Sequence, residues 1–230
     1  MSSSVPSTDD FIQSFSHQLT KIEGLPTYET LSIARELLKA NAASVPTTRG
    51  GGEHSYLGIV VSATIYETIS DTPWTIPDYP GARPIIPPAA TSAQIGELVR
   101  QHTENLRQWR EYQQIEAALK KQLIDSIEPI YLRAKRNRHT GFSNTSLREI
   151  LNYLFSAYGQ IQPNDLQQNY QKLNTAWDPN TPFELLIDQV EECMELADAG
   201  GQPFTSTQIV RRCPLQPRMH AYICSQIAVG

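Results

Sequence analysis

Apolar positions along this chain recur at helical spacing, and most of the recurrences open on a residue suited to starting a helix. Thr27 precedes a stretch to about Ala43 in which Leu31, Ala34, Leu37 and Leu38 share one face. Ser62 precedes a shorter stretch to about Ile69. The longest pattern follows Thr91 or Ser92. Leu98, Leu106, Trp109, Tyr112, Ile115, Leu119, Leu123 and Ile127 fall on one stripe, with His102 filling its gap. No proline or glycine interrupts residues 97–128. The spacing therefore predicts a single helix over 92–128, roughly 50 Å long. Pro129 kinks or restarts it, and Arg138 lies near its end.

Further along, Thr145 or Ser146 caps a helix to Tyr158, closed by Gly159. Pro163 opens another, to about Thr175. Thr181 followed by Pro182 starts one that carries Leu185, Leu186, Val190, Met194, Leu196 and Ala197 and stops at Gly200–Gly201. Thr205 begins one more. Between these elements lie connectors. Leu57–Val61 is a short apolar run, either strand or buried turn. Gly50, Gly51 and Gly52 make a flexible loop, because three glycines add backbone entropy that folding must overcome. Six of the sixteen residues from Pro73 to Pro88 are proline, which predicts an extended connector over 73–90. Its Trp74 and Tyr79 imply that it packs against something.

These elements define an all-α fold, a helical bundle with one long central helix and Pro/Gly-rich connectors. Residues 1–20 read as a flexible segment with at most a short helix from Asp9. Residues 21–210 form the helical region, and 211–230 form an atypical tail in which Pro214 and Pro217 interrupt any stripe.

Composition fits a globular chain. Of its 230 residues 40% are apolar and 19% charged, outside the range of wholesale disorder. The net charge of −5 argues against a surface wholly devoted to nucleic acid. The charge is also segregated: residues 92–140 carry net +3 and residues 141–200 net −7. Such blocks point to two surfaces with different tasks, or to one surface that complements another copy of the chain. Three cysteines without CxxC spacing favour a reducing compartment. No apolar run reaches the length of a membrane span, and the polar start MSSSVPSTDD is not a secretory signal. A cytoplasmic protein with no membrane partner is the expectation.

Candidate chemistry is sparse. Cys193, Cys213, Cys224 and His220 offer four ligands, but they lack the closely paired cysteines of a zinc knuckle, so no metal site is expected. Nucleophile-elbow, phosphate-loop and metalloprotease motifs are absent from the sequence, and the histidines are scattered. His102 reads as a core histidine rather than a base. The expectation is a protein that is not an enzyme and takes no cofactor or small-molecule substrate. One cluster stands out: Arg133, Lys135, Arg136 and Arg138 place four cations within six residues. They can neutralise phosphates and release counterions. They can equally be a solvated helix end that complements the helix dipole, or meet the acidic block of a neighbouring copy.

Four stretches carry a family resemblance. They are LKANAASVPTTRGGGEHSYLGIVV (38–61), WREYQQIEAALKKQLIDSIEPIYLRAKRNRHTGFSN (109–144), LREILNYLFSAYGQIQPNDL (147–166) and WDPNTPFELLIDQVEECMELADAGGQPFTSTQIV (177–210). Their order, with the glycine loop, the RNRHTGF turn and the DPNTPFE helix start, resembles the Gag polyprotein of copia-type LTR retrotransposons. The resemblance implies a helical, capsid-type protein that self-assembles into virus-like particles around the element's RNA and has no catalytic residues. It implies the chain itself as partner, as a homo-oligomer, with RNA held nonspecifically. Two departures stand beside it. No zinc knuckle follows, although many Gag proteins use one to package RNA, and the likeness fades after Val210, as in a decayed element. The alternative expectations are a helical nucleic-acid-binding module and a non-functional Gag fragment.

Overall fold

The computed structural model describes residues 5–47, 54–175, 178, 180–205 and 207–209. Helices dominate, and the described residues contain no strand beyond two isolated bridges. The elements are α1 (Thr8–Ser14), α2 (Tyr28–Ser44), a 3-10 turn (Leu57–Ile59), α3 (Ala63–Ile69), α4 (Ser92–Ser126), α5 (Pro129–Leu132), α6 (Leu147–Ala157), α7 (Pro163–Asn174) and α8 (Glu184–Ala199). The chain divides into two compact units, with the boundary between Gly159 and Gln160. The region 21–210 therefore comprises parts of both.

In the first unit the helices begin where capping chemistry places them. Thr27, Ser62, Thr91 and Ser146 each accept a backbone N–H of the first turn, and Thr30, Gln94 and Glu149 return the bond to Thr27, Thr91 and Ser146. The core gathers around the C-terminal half of α4, where Ile115, Ala118, Leu119 and Leu123 are fully buried. Leu31, Leu38 and Ala42 of α2 and Leu147, Ile150 and Leu154 of α6 pack into the same cluster. A fully buried leucine contributes about 1.5–3 kcal/mol relative to an exposed one, so this end of α4 holds the unit together. The N-terminal half of the expected stripe is only half-buried at Leu98, His102, Leu106 and Trp109. It meets the proline-rich connector instead of a helix. The Tyr79 ring lies 4.9 Å from that of Trp109, and the Gly81 carbonyl is 3.0 Å from His102 Nε2.

The short helix expected from Asp9 is present, starting at Thr8, and it is packed into the core. Ser7 caps α1 through a capping box with Asp10. Phe11 and Phe15 are buried in the core, and Thr8 hydrogen-bonds Gln114 of α4. Two aromatic side chains remove enough apolar surface from water to hold a seven-residue helix that would not survive alone. The chain then runs to Ile22, whose N–H donates to the Ser126 carbonyl at 2.7 Å. This bridge draws Ile127 out of the helix, and Pro129 disfavours helical backbone at Glu128 before it. The long helix therefore stops at Ser126.

The Leu57–Val61 run is a buried turn packed on an aromatic cluster. Trp74 sits so close to Gly58 that an added Cβ would lie 2.2 Å from its ring. The Trp74 ring also lies 5.9 Å from Tyr56 and 5.6 Å from Tyr66. The connector thus anchors at both Trp74 and Tyr79, while Ile85 beyond them is 90% exposed.

The second unit is a helical pair, α7 with α8, around Leu173, Leu186, Val190, Cys193 and Ile209. Asn169 is buried and donates its side-chain amide to the Cys193 carbonyl at 2.8 Å. Helix α8 begins at Glu184, two residues later than Pro182 indicates, because the Pro182 and Phe183 carbonyls accept the first three-residue turn from Leu185 and Leu186. This leaves Leu185 54% exposed. Thr205 and Gln208 bond reciprocally, and residues 207–209 are helical, as expected at Thr205. The triple glycine at 50–52 and the tail 211–230 lie outside the described residues.

Candidate nucleic-acid interface

Arg133, Lys135, Arg136 and Arg138 lie on the surface of the first unit, and all four are exposed. The structure corrects their expected position. Only Arg133 touches a helix end, as the C-cap of the four-residue α5. The other three follow in a turn and a tight loop, so a long-helix dipole does not account for them.

The loop is firmly built. Leu132 is 1% exposed, and its carbonyl accepts the Lys135 and Arg136 N–H groups. Asn137 and Gly141 exchange backbone bonds at 2.9 and 3.0 Å. The Asn137 side-chain oxygen accepts from His139 and Thr140 N–H, an arrangement that mimics a backbone turn. Gly141 has φ +60°, which a residue with a Cβ adopts only with strain. The far side is fastened to α4. Lys120 Nζ donates to the Phe142 and Thr145 carbonyls, at 3.2 and 2.9 Å, and Glu116 accepts from the Leu147 N–H.

Three tyrosines cluster beside the loop, and one of them meets Lys135. The Tyr131 and Tyr158 rings meet edge to face at 5.3 Å, and Tyr153 meets Tyr158 at 6.1 Å. Lys135 Nζ sits 5.6 Å from the centre of the Tyr153 ring. The hydrogen bond with Tyr158 raises the Tyr153 phenol above its ordinary pKa. Glu149 is held below the usual carboxylate range, first by its Ser146 cap bonds and further by Lys135 and Lys120. The tyrosines had no sequence signal as a group, since Tyr153 and Tyr158 reach the loop only through the packing of α6 on α5.

Three of the five cations of α4 behave differently. Arg100 pairs with Glu97 at 2.7 Å, Arg107 with Glu104 and Glu111 at 2.8 and 2.7 Å, and Lys121 with Asp125 at 2.8 Å. Each partner is one turn away on the same helix. Among the described residues none of the four loop cations has such a carboxylate. Between α4 and the loop runs an open groove of about 390 Å³ lined by Gln113, Glu116, Lys120, Lys121, Ile124 and Phe142.

Of the residues weighed as metal ligands, Cys193 is buried, and its burial raises the thiol pKa. Cys213, His220 and Cys224 lie outside the described residues. Among the described residues no three His, Cys, Asp or Glu side chains are placed to share an ion. No helix there is long and apolar enough to cross a membrane. No protein family, curated protein or solved structure matches the chain.

Proposed function

We propose that this chain is a Gag-like structural protein that assembles with copies of itself into particles and holds RNA through the loop 133–138. One observation carries the RNA part of this reading. Four exposed cations stand together, none in an ion pair among the described residues, on a chain that pairs Arg100, Arg107 and Lys121 within their own helix. Such cations on a rigid loop can neutralise phosphates, and the counterions released from the RNA drive binding. The half-buried Tyr131 and Tyr158 and their neighbour Tyr153 add ring surface beside them, of the kind on which unpaired bases stack. The assembly part draws on the resemblance to copia-type Gag and on the all-α construction. No sequence specificity is part of the reading.

The second reading is a helical nucleic-acid-binding module that remains a monomer. The same loop supports it, and assembly separates the two. The test is fluorescence anisotropy with a labelled single-stranded RNA over a salt series, beside electron microscopy of the same mixtures. The proposal expects binding that weakens steeply with salt, together with particles. Binding without particles selects the module. Binding that ignores salt removes the loop from either reading.

A further inference from the structure

Helix α8 carries six carboxylates and no lysine or arginine. Glu192 pairs with Lys172 of α7 at 2.7 Å. The other five, Glu184, Asp188, Glu191, Glu195 and Asp198, are all exposed. Their spacing of four, three, four and three confines them to about 80° of helix arc. That arc lies away from Leu186, Val190, Cys193 and Ala197, which face the core of the second unit. Among the described residues none of the five pairs with a cation. Like charges at i, i+4 oppose helix formation by about 0.2–0.5 kcal/mol per pair. Helix α4 instead sets a cation three or four residues from Glu97, Glu104, Glu111 and Asp125, and α8 has none.

We infer that this acidic face docks on the basic loop 133–138 of a second copy of the chain. The inference rests on the self-association in the reading above and names its interface. Charge complementarity identifies the occupant. The face presents five exposed carboxylates along one line and the loop presents Arg133, Lys135, Arg136 and Arg138, also exposed, with no ion pair to either among the described residues. Each copy offers one of each, so the contact closes into a two-fold dimer when two copies dock reciprocally, and otherwise propagates into a ring or an open array. The loop then has two occupants of the same charge, the α8 face of a neighbour and RNA phosphate, which compete for it.

The experiment uses the full chain without RNA at low salt. An equal mixture of ¹⁵N-labelled and unlabelled protein is treated with a carbodiimide, which joins the Lys135 amine to a carboxylate in direct contact. Peptides linking Lys135 to the α8 carboxylates, with mixed labels, are expected. Same-label links alone, or no links, overturn the inference.

Charge reversal gives a second arm. One variant carries Arg133→Glu, Lys135→Glu, Arg136→Glu and Arg138→Glu, and the other Glu184→Lys, Asp188→Lys, Glu191→Lys, Glu195→Lys and Asp198→Lys. Circular dichroism checks that both keep their helices. Each alone is expected to self-associate at least about tenfold more weakly than the parent, and the equimolar mixture to recover association. Either variant associating alone like the parent sinks the inference. Particles that form with RNA despite the reversed α8 face remove this interface and leave the capsid reading. Mixed-label Lys135–α8 links without RNA-containing particles do the opposite.

Discussion

Asn41 and Gln122 are hydrogen-bonded to each other inside the apolar core of the first unit. Asn41 Nδ2 donates to Gln122 Oε1 at 3.0 Å and to the His17 carbonyl at 2.7 Å, while Asn41 Oδ1 accepts the His17 N–H at 3.0 Å. Asn41 is 0% exposed and Gln122 7%. One side chain on α2 thus ties the segment after α1 to the long helix. Asn41→Leu keeps the branching and the number of side-chain heavy atoms but removes these bonds from the His17 backbone and from the Gln122 oxygen. It should destabilise the protein by about 2 kcal/mol or more in chemical denaturation. A change within about 0.5 kcal/mol means that water or a shifted Gln122 takes over the bonds.

Gly58 tests the anchoring of the connector. A Cβ at residue 58 would lie 2.2 Å from the Trp74 ring, so Gly58→Ala must displace that ring. Overpacking of this kind costs about 1–3 kcal/mol. The variant should lose that much stability and shift the tryptophan emission. Unchanged emission and stability would place Trp74 elsewhere.

Acid sensitivity should enter through α4. The Arg100 hydrogen bond, helped by Gln101, lowers Glu97 from 4.5 to about 2, and Arg107, helped by Gln108, does the same for Glu104. Both folded values are depressed, so their stabilisation is complete above about pH 4.5 and is lost as pH falls through about 2. Both pairs are exposed, and salt should shrink the effect. Carboxyl NMR titration should give midpoints near 2; ordinary midpoints near 4.5 would mean that the pairs do not persist in solution.

The basic loop can be neutralised without touching the core. Replacing Arg133, Lys135, Arg136 and Arg138 by Gln should weaken RNA binding and flatten its dependence on salt, by roughly 0.7 of log–log slope for each phosphate no longer neutralised on a single strand. Thermal stability should hardly move, since all four side chains are exposed. An unchanged slope leaves the loop with no part in RNA binding.

Much of the fold was legible because capping is local. Thr27, Ser62, Thr91 and Ser146 announced four helix starts through side chains that bond a few residues away, and the Ile115–Leu123 stripe located the core. What stayed hidden depends on distant partners. The short helix from Asp9 was expected, but not that Phe11 and Phe15 anchor it in the core, and α4 ends at Ser126 because Ile22 bridges Ile127. The site was half legible. A run of cations is visible in any sequence, but its tight Asn137–Gly141 loop and the tyrosines beside it arise from packing. The acidic face of α8 was visible only as a block of net charge until the helix gave it a direction.

Sedimentation velocity of the full chain, across protein concentration and with or without a single-stranded RNA, bears most directly on a self-assembling, RNA-holding protein. The prediction is a species that grows with concentration at low salt, and large particles that protect the RNA from nuclease. A single monomeric boundary at every concentration, with RNA left fully digestible, would contradict it.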